Sequence, residues 1–236
     1  VEGELTQPMA KLPYKTIVGS LGYLAIWSFP QICYSVKELG RFSANPGRMH
    51  WRSALRVVHY VVENKTWSIY VSADSDTNLY GVCDANWCTQ PDSYLSTTGY
   101  VIFQGTNPIS NCSRTQKVIS RSTAESEYIA ISSMAQELLH LRMLWRSLEP
   151  TTKLGTTSVY MNNLAEAPNT PQLKMVSDST SAIAIAKSEW TVGKLRHVNL
   201  AWHFVRSFIR DKVISLSHGP GKELCADVHT KGFGRT

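Results

Sequence analysis

Four carboxylate side chains, each in a different sequence context, are the residues of this 236-residue chain best suited to chemistry. They are Asp84 in YGVCDANW, Glu127 in STAESEY, Asp178 in MVSDSTSA and Asp227 in ELCADVHTK. Carboxylate oxygens are ligands that hard divalent cations such as Mg²⁺ prefer in proteins. Four of them around two Mg²⁺ ions would form a site for in-line phosphoryl transfer.

The local patterns around these acids indicate which elements would position them. Asp84 and Asp178 each end an apolar run typical of a strand, Glu127 lies near the start of a long amphipathic helix, and Asp227 opens a short C-terminal helix. Acids at strand ends and helix starts can converge on one rim of a sheet. Taken alone, each of them is more typical of a turn or a helix cap, so only the ordered set of four favours a site.

From residue 79 onward the pattern predicts three strands, a helix, a strand, two helices, a strand and a short helix. The segments are 79–87, 97–105, 108–113, a helix from 122, then 173–176, 179–187, 196–210, 213–216 and 223–230. This is a mixed α/β order. Ser122 and Glu125 have the spacing of a capping box, in which Glu125 would bond the Ser122 backbone. Residues 150–171 are rich in Thr, Asn and Pro and are predicted as an inserted loop.

The N-terminal part of the chain, residues 13–62, is predicted to be helical, and the polar stretch 72–78 is the candidate domain junction. One of the predicted helices carries Arg48, Arg52 and Arg56 at helical spacing. This stripe suits contact with a phosphate backbone, and it also suits a helix face exposed to solvent.

The composition of the chain favours some classes of function over others. The chain has 24 Lys+Arg against 18 Asp+Glu, a formal net charge of +6, which modestly favours anionic partners. Its five cysteines form no CxxC pair and are typical of reduced thiols inside the cell. No apolar run reaches the ~20 residues of a membrane helix, and no signal peptide is recognisable. The start without Met suggests a fragment or a processed product.

Long collinear motifs resemble a known family. From about Leu79 to Gly234 the chain resembles the ribonuclease H domain of copia-type retrotransposon polyproteins. The resemblance lies in YGVCDANW, in STTGYVIFQGTNPISNCSRTQKVISRSTAESEYIAIS, in SDSTSAIAIAKS, in LRHVNLAWHFVR and in CADVHTKGF. The preceding stretch, PYKTIVGSLGYLAIWSFPQICYSVKELGRFSANPGRMHWRSALRVVHYV, resembles the C-terminal end of the reverse transcriptase in the same polyproteins.

This resemblance implies an α/β fold, namely a ribonuclease H-like mixed five-stranded sheet with flanking helices, preceded by a small helical segment. The expected domains are residues 1–75, a helical end of the reverse transcriptase, and 76–236, the ribonuclease H-like domain. The implied activity is metal-dependent hydrolysis of the RNA strand of RNA–DNA hybrids during reverse transcription. The expected location is cytoplasmic, in a virus-like particle, or nuclear.

The resemblance also implies roles for individual residues. Asp84 would bridge two Mg²⁺ ions, with Mn²⁺ as a possible substitute. Asp227 would hold the ion on the nucleophile side, and Glu127 and Asp178 would hold the other. Many ribonucleases H place a mobile histidine before the last Asp, where it aids proton transfer or product release, and His218 is the candidate here.

Binding of a hybrid would rely on basic side chains that neutralise phosphates. The expected partners are the RNA–DNA hybrid and the remainder of the Pol polyprotein with its polymerase domain, and no membrane. The candidate nucleic-acid contacts are Arg48, Arg52, Arg56, Arg114, Lys117, Arg121, Lys194 and Arg196.

Four positions depart from the family pattern, so other functions remain possible interpretations. Asn86 stands where the family has Asp, Ser179 where it has Asn, and Asn199 and Ala201 where it has Asp and Arg. One alternative is therefore a catalytically decayed, host-retained nucleic-acid-binding module. A second is a protein-interaction module that docks through 150–171. A third is the strand-transfer chemistry of integrases, whose three-acid pattern fits the four acids less well.

Overall fold

The structure is a computed structural model that describes residues 11–90, 92–148, 172–188, 196–221 and 224–232. The N-terminal part of the described chain contains three α-helices, which are α1 (Tyr14–Trp27), α2 (Cys33–Gly40) and α3 (Arg48–Glu63). Their apolar faces pack on one another around buried Leu21, Ile32 and Trp51, and together they form a helical segment with its own core. The predicted boundary near residue 75, between two domains, stays a prediction.

A five-stranded sheet follows. Its strands are β1 (Leu79–Asn86), β2 (Thr97–Gln104), β3 (Asn107–Thr115), β4 (Leu173–Ser177) and β5 (Ile214–His218). The order across the sheet is β3-β2-β1-β4-β5. The first three strands form an antiparallel meander, whereas β4 runs parallel to β1 and β5 runs parallel to β4. The sheet is therefore mixed, with β1 at its centre.

Helices flank the sheet. They are α4 (Thr123–Leu148), α5 (Thr180–Lys187) and α6 (Arg196–Arg210), and a 3-10 helix, Cys225–His229, lies near the C-terminus. Helix α4 packs directly on β1, where Met134 and Leu138 are fully buried. A Cβ at Gly81 would lie 2.6 Å from the Met134 Sδ atom, so this close approach of helix and strand requires glycine.

The helical segment contacts the meander through polar as well as apolar groups. The Lys37 Nζ donates to Thr97 Oγ1 at 2.9 Å, and the Asn111 Nδ2 donates to the Ile26 carbonyl at 3.3 Å. Burial lowers the pKa of Lys37, although the neighbouring Glu38 carboxylate acts against this shift. These contacts fix the helices beside the edge of the sheet formed by β3.

The observed elements confirm the predicted fold class, a mixed five-stranded sheet with flanking helices. One local prediction differs, because the Glu125 carboxylate accepts the Arg121 N–H at 2.7 Å and not that of Ser122. The Ser122 hydroxyl does accept the Glu125 N–H, at 3.2 Å, so half of the capping box is present.

The predicted inserted loop 150–171 lies outside the described residues. Of the helices in the described ranges, none has the length and apolar character needed to cross a membrane.

Candidate metal centre

Three of the four acids meet at one edge of the sheet. Asp84, Glu127 and Asp178 each offer a carboxylate oxygen, and these oxygens lie within 4.8 Å of one another. Strands β1 and β4 are parallel neighbours with Val82 paired to Val176, so two residues further along each strand lead to Asp84 and Asp178. Helix α4 crosses this edge near its start and adds Glu127. The parallel pairing thus explains why acids 94 residues apart in sequence converge.

Burial makes this cluster electrostatically unfavourable without a cation. Asp84 is only 4% exposed, and its burial raises the pKa of its carboxyl group. Burial, and then the charges of Asp84 and Asp178, raise the pKa of Glu127 to about 8. The Glu127 Oε2 atom is enclosed and accepts no hydrogen bond from the described residues. Three clustered carboxylates with an unsatisfied buried oxygen are a donor set that fits a hard divalent cation.

Asp227 lies beside this cluster but not within it. It belongs to the C-terminal 3-10 helix, and its half-exposed carboxylate accepts the Lys231 Nζ at 2.6 Å. That hydrogen bond is the main reason that the pKa of Lys231 is raised. The charge of Asp227 contributes to the raised pKa of Asp84, so the two carboxylates are near enough to interact. The described arrangement is therefore three acids together and a fourth paired with a lysine.

Thr230 was not singled out in the sequence, and the structure places it against Asp84. Its side chain is fully buried, and its hydroxyl donates to Asp84 Oδ2. The Thr230 carbonyl accepts the amide of Asn86 at 3.3 Å. The only available sequence signal was its position in the HTK triplet after Asp227. Asn86, one of the departures from the family pattern, thus connects the end of β1 to the same turn.

Ser179, a second departure from the family pattern, has a clear structural role. It is the N-cap of α5, where its hydroxyl accepts the Ala182 N–H at 3.2 Å. Its own N–H donates to the Ser177 hydroxyl at 3.2 Å. These bonds hold the turn that carries Asp178, so serine supports this acid locally. The other two departures, Asn199 and Ala201, lie in α6, and their side chains are outside the described set.

His218 ends β5, whereas the strand predicted from the sequence ended at residue 216. It is exposed and pairs with Ser177 of β4, which directly precedes Asp178. The chain then turns back across the site, because a Cβ at Gly221 would lie 2.8 Å from Asp178 Oδ2. His218 is therefore at the same sheet edge as the acids and accessible to solvent.

The predicted nucleic-acid contacts are surface residues wherever they are described. Arg48, Arg52 and Arg56 are exposed along α3, and Arg114, Lys117 and Arg121 are exposed between β3 and α4. Arg196 is the first residue of α6, and Lys194 lies outside the described residues.

Trp87, which follows β1, is 43% exposed although its indole N–H donates to the Ser120 carbonyl at 3.0 Å. A flat aromatic surface thus stands three residues from Asp84.

Sequence similarity to known proteins extends over nearly the whole chain. No protein-family model matches it. It is 29% identical over 229 residues, 95% of the chain, to the retrovirus-related Pol polyprotein from transposon RE2 of Arabidopsis thaliana. It is 29% identical over 223 residues, 94% of the chain, to the corresponding polyprotein from transposon TNT 1-94 of Nicotiana tabacum. The chain spans only 14% and 15% of the length of these two relatives.

Among solved structures, the foamy viral protease-reverse transcriptase in complex with an RNA/DNA hybrid matches 94% of this chain and 26% of its own. The TM-score is 0.50 and the sequence identity 14%. The foamy viral protease-reverse transcriptase dRH, in complex with double-stranded DNA, gives a TM-score of 0.51 at 14% identity over 91% of this chain and 33% of its own. At this identity the likeness concerns the fold alone.

Proposed function

Because this chain is similar over nearly its whole length to copia-type retrotransposon Pol polyproteins, we propose that it acts as a ribonuclease H on the RNA strand of RNA–DNA hybrids. The observation that carries this proposal is the convergence of Asp84, Glu127 and Asp178 within 4.8 Å at the ends of two parallel strands. The chain spans 14% of such a polyprotein, so the polymerase part of the longer protein is its proposed partner during reverse transcription.

The acids of the site are the residues that would hold two Mg²⁺ ions, or Mn²⁺ in their place. Such ions supply activation of a water molecule and stabilisation of the leaving oxygen. The contribution of the protein's own residues is to hold the carboxylates in place. Asp84 occupies the centre, next to Glu127 and Asp178 and within electrostatic reach of Asp227, which makes it the residue best placed to be shared by both ions.

Substrate binding would use the exposed basic residues near the site. Arg114, Lys117 and Arg121 lead into α4 and thus to Glu127, and each can neutralise a phosphate of the nucleic acid. Exposed His218, at the edge next to Asp178, is positioned to exchange a proton with a substrate or a product oxygen. The foamy viral protease-reverse transcriptase, which is similar in fold, is bound to an RNA/DNA hybrid in its solved structure, and we propose the same substrate class for this chain.

One observation favours a second candidate function, a nucleic-acid-binding module without activity. The pairing of Asp227 with Lys231 leaves three acids clustered instead of four. Against it stand two of the departures from the family pattern, since Asn86 and Ser179 both make hydrogen bonds that support the site. We therefore favour the nuclease.

Cleavage of end-labelled RNA in an RNA–DNA hybrid tests the proposal. The protein is incubated with Mg²⁺ or Mn²⁺, beside EDTA controls and an Asp84→Asn variant. We expect internal cuts in the RNA strand that need the cation and that are reduced at least a hundredfold in the variant. Binding of the hybrid without cleavage, by folded protein and unaffected by EDTA, would support the binding module and contradict the nuclease.

A further inference from the structure

Lys231 brings a positive charge to the acid site. Its Nζ lies 2.6 Å from Asp227 Oδ1, and its side chain is 52% exposed. The ammonium group interacts electrostatically with Asp84 and Asp178 as well as Asp227, and it acts against the raised pKa of Glu127. Within the described residues, Lys231 therefore stands where a cation would compensate the four carboxylates.

The lysine affects the two sides of the site unequally. The oxygens of Asp84, Glu127 and Asp178 cluster within 4.8 Å, and the buried Glu127 Oε2 has no hydrogen-bond donor among the described residues. None of these three acids forms an ion pair with a basic side chain among the described residues. The ion pair with Lys231 offsets part of the charge of Asp227, so this carboxylate attracts a divalent cation less strongly. The ammonium also repels such a cation directly, since like charges a few ångströms apart interact even in a solvated setting.

We infer that Lys231 is a positioning residue that competes with the second divalent cation for Asp227, so that the free protein binds one cation tightly and a second only weakly. This inference rests on the proposed function. The half-exposed side chain has a flexible four-carbon stem and can turn toward an anion. A phosphate of the bound nucleic acid is such an anion. The second cation site would then be completed only with substrate in place.

Binding of Mn²⁺ to the whole chain without nucleic acid tests this inference. Electron paramagnetic resonance of free Mn²⁺ counts the bound ions, and calorimetry gives the affinities. Lys231→Met removes the charge at similar length, and Lys231→Arg retains it. Lys174→Met is the matched control, because exposed Lys174 lies near the opposite end of β4 from Asp178 and its loss changes the net charge equally.

We expect one tight and one weak site in the unmodified protein, in Lys231→Arg and in Lys174→Met. In Lys231→Met the weak site should tighten about tenfold or more, and adding Asp227→Asn should remove that gain. Equal weak-site affinities in Lys231→Met and Lys174→Met would overturn the inference. The proposed function would survive that result if Asp84→Asn abolished the tight site, whereas absence of binding in every folded variant would overturn both.

Discussion

The Thr230 hydroxyl donates a hydrogen bond to Asp84 Oδ2, joining residues 146 positions apart in the chain. Asp84 is near the end of the central strand, and Thr230 follows the C-terminal 3-10 helix. Both side chains are buried, so this bond sets the direction in which the carboxylate points. Such an outer contact typically orients a metal-binding carboxylate and tunes its affinity.

Replacing Thr230 by Val should therefore weaken the site. The variant keeps the shape of the side chain but removes the donor, which leaves a buried carboxylate oxygen unsatisfied at a cost of about 1–3 kcal/mol. We expect a free energy of unfolding lower by that amount in urea and a Mn²⁺ affinity reduced about tenfold or more. Thr230→Ser retains the hydroxyl and is the matched control. Equal cation affinities in the Val and Ser variants would contradict a positioning role.

The pKa of Glu127 predicts how stability changes with pH in the absence of divalent cations. Its ordinary pKa of 4.5 is raised to about 8 in the folded protein, so the folded state holds this proton more tightly than the unfolded state. The stabilisation is complete below about pH 4.5 and is lost as the pH rises toward 8. In EDTA, the contribution of Glu127 to the free energy of unfolding should fall across this window by roughly 1.4 kcal/mol per pH unit at most.

Urea unfolding at a series of pH values measures this slope. Glu127→Gln should flatten the curve, because the amide does not titrate, and Glu125→Gln, two residues away on the helix surface, is the control. Saturating Mg²⁺ should raise stability most at high pH, where the carboxylates are charged. An identical pH dependence in the Glu127→Gln and unmodified proteins would contradict the assigned cause.

The arginine stripe of α3 predicts a change in hybrid binding. Arg48, Arg52 and Arg56 are all exposed, so converting them to Glu should leave the fold intact. If each one contacts a phosphate, the slope of log affinity against log salt concentration should become shallower by roughly 1 per residue. Fluorescence anisotropy with a labelled hybrid in EDTA measures this slope. Lys174→Glu tests for a general effect of charge, and equal slopes in the triple variant and the unmodified protein would assign the stripe to solvent.

The close packing of the C-terminal turn on β2 at Gly99 predicts the effect of adding a side chain there. A Cβ there would lie 2.7 Å from Thr230 Cγ2 and 2.8 Å from His229 Cβ, so Gly99→Ala forces the turn away from β2. We expect a loss of about 1–3 kcal/mol of stability together with weaker Mn²⁺ binding. Gly19→Ala is the matched control, because the added methyl group in α1 meets no atom within 4 Å and should stabilise its helix by about 0.5–1 kcal/mol. An unchanged cation affinity in Gly99→Ala would show that the turn tolerates displacement.

Much of the fold could be predicted because its elements follow from local patterns. The β-branched and aromatic runs of the meander, the apolar periodicity of α4 and the turn residues between them predict strands and helices without knowledge of their partners. The position of each acid relative to its own strand or helix follows in the same way. The order of the elements then restricted the arrangement, since β1 and β4 had to meet for Asp84 and Asp178 to converge.

The sequence by itself indicated most of the element types, the resemblance to copia-type Pol polyproteins and four candidate acids. Only the tertiary structure decided that three of them cluster and that Thr230 bonds Asp84. The physical reason is the range of the interactions. Secondary structure reflects preferences within a few residues, whereas the contact between Thr230 and Asp84 depends on how a short 3-10 helix packs against β1 and β2, which no local pattern encodes.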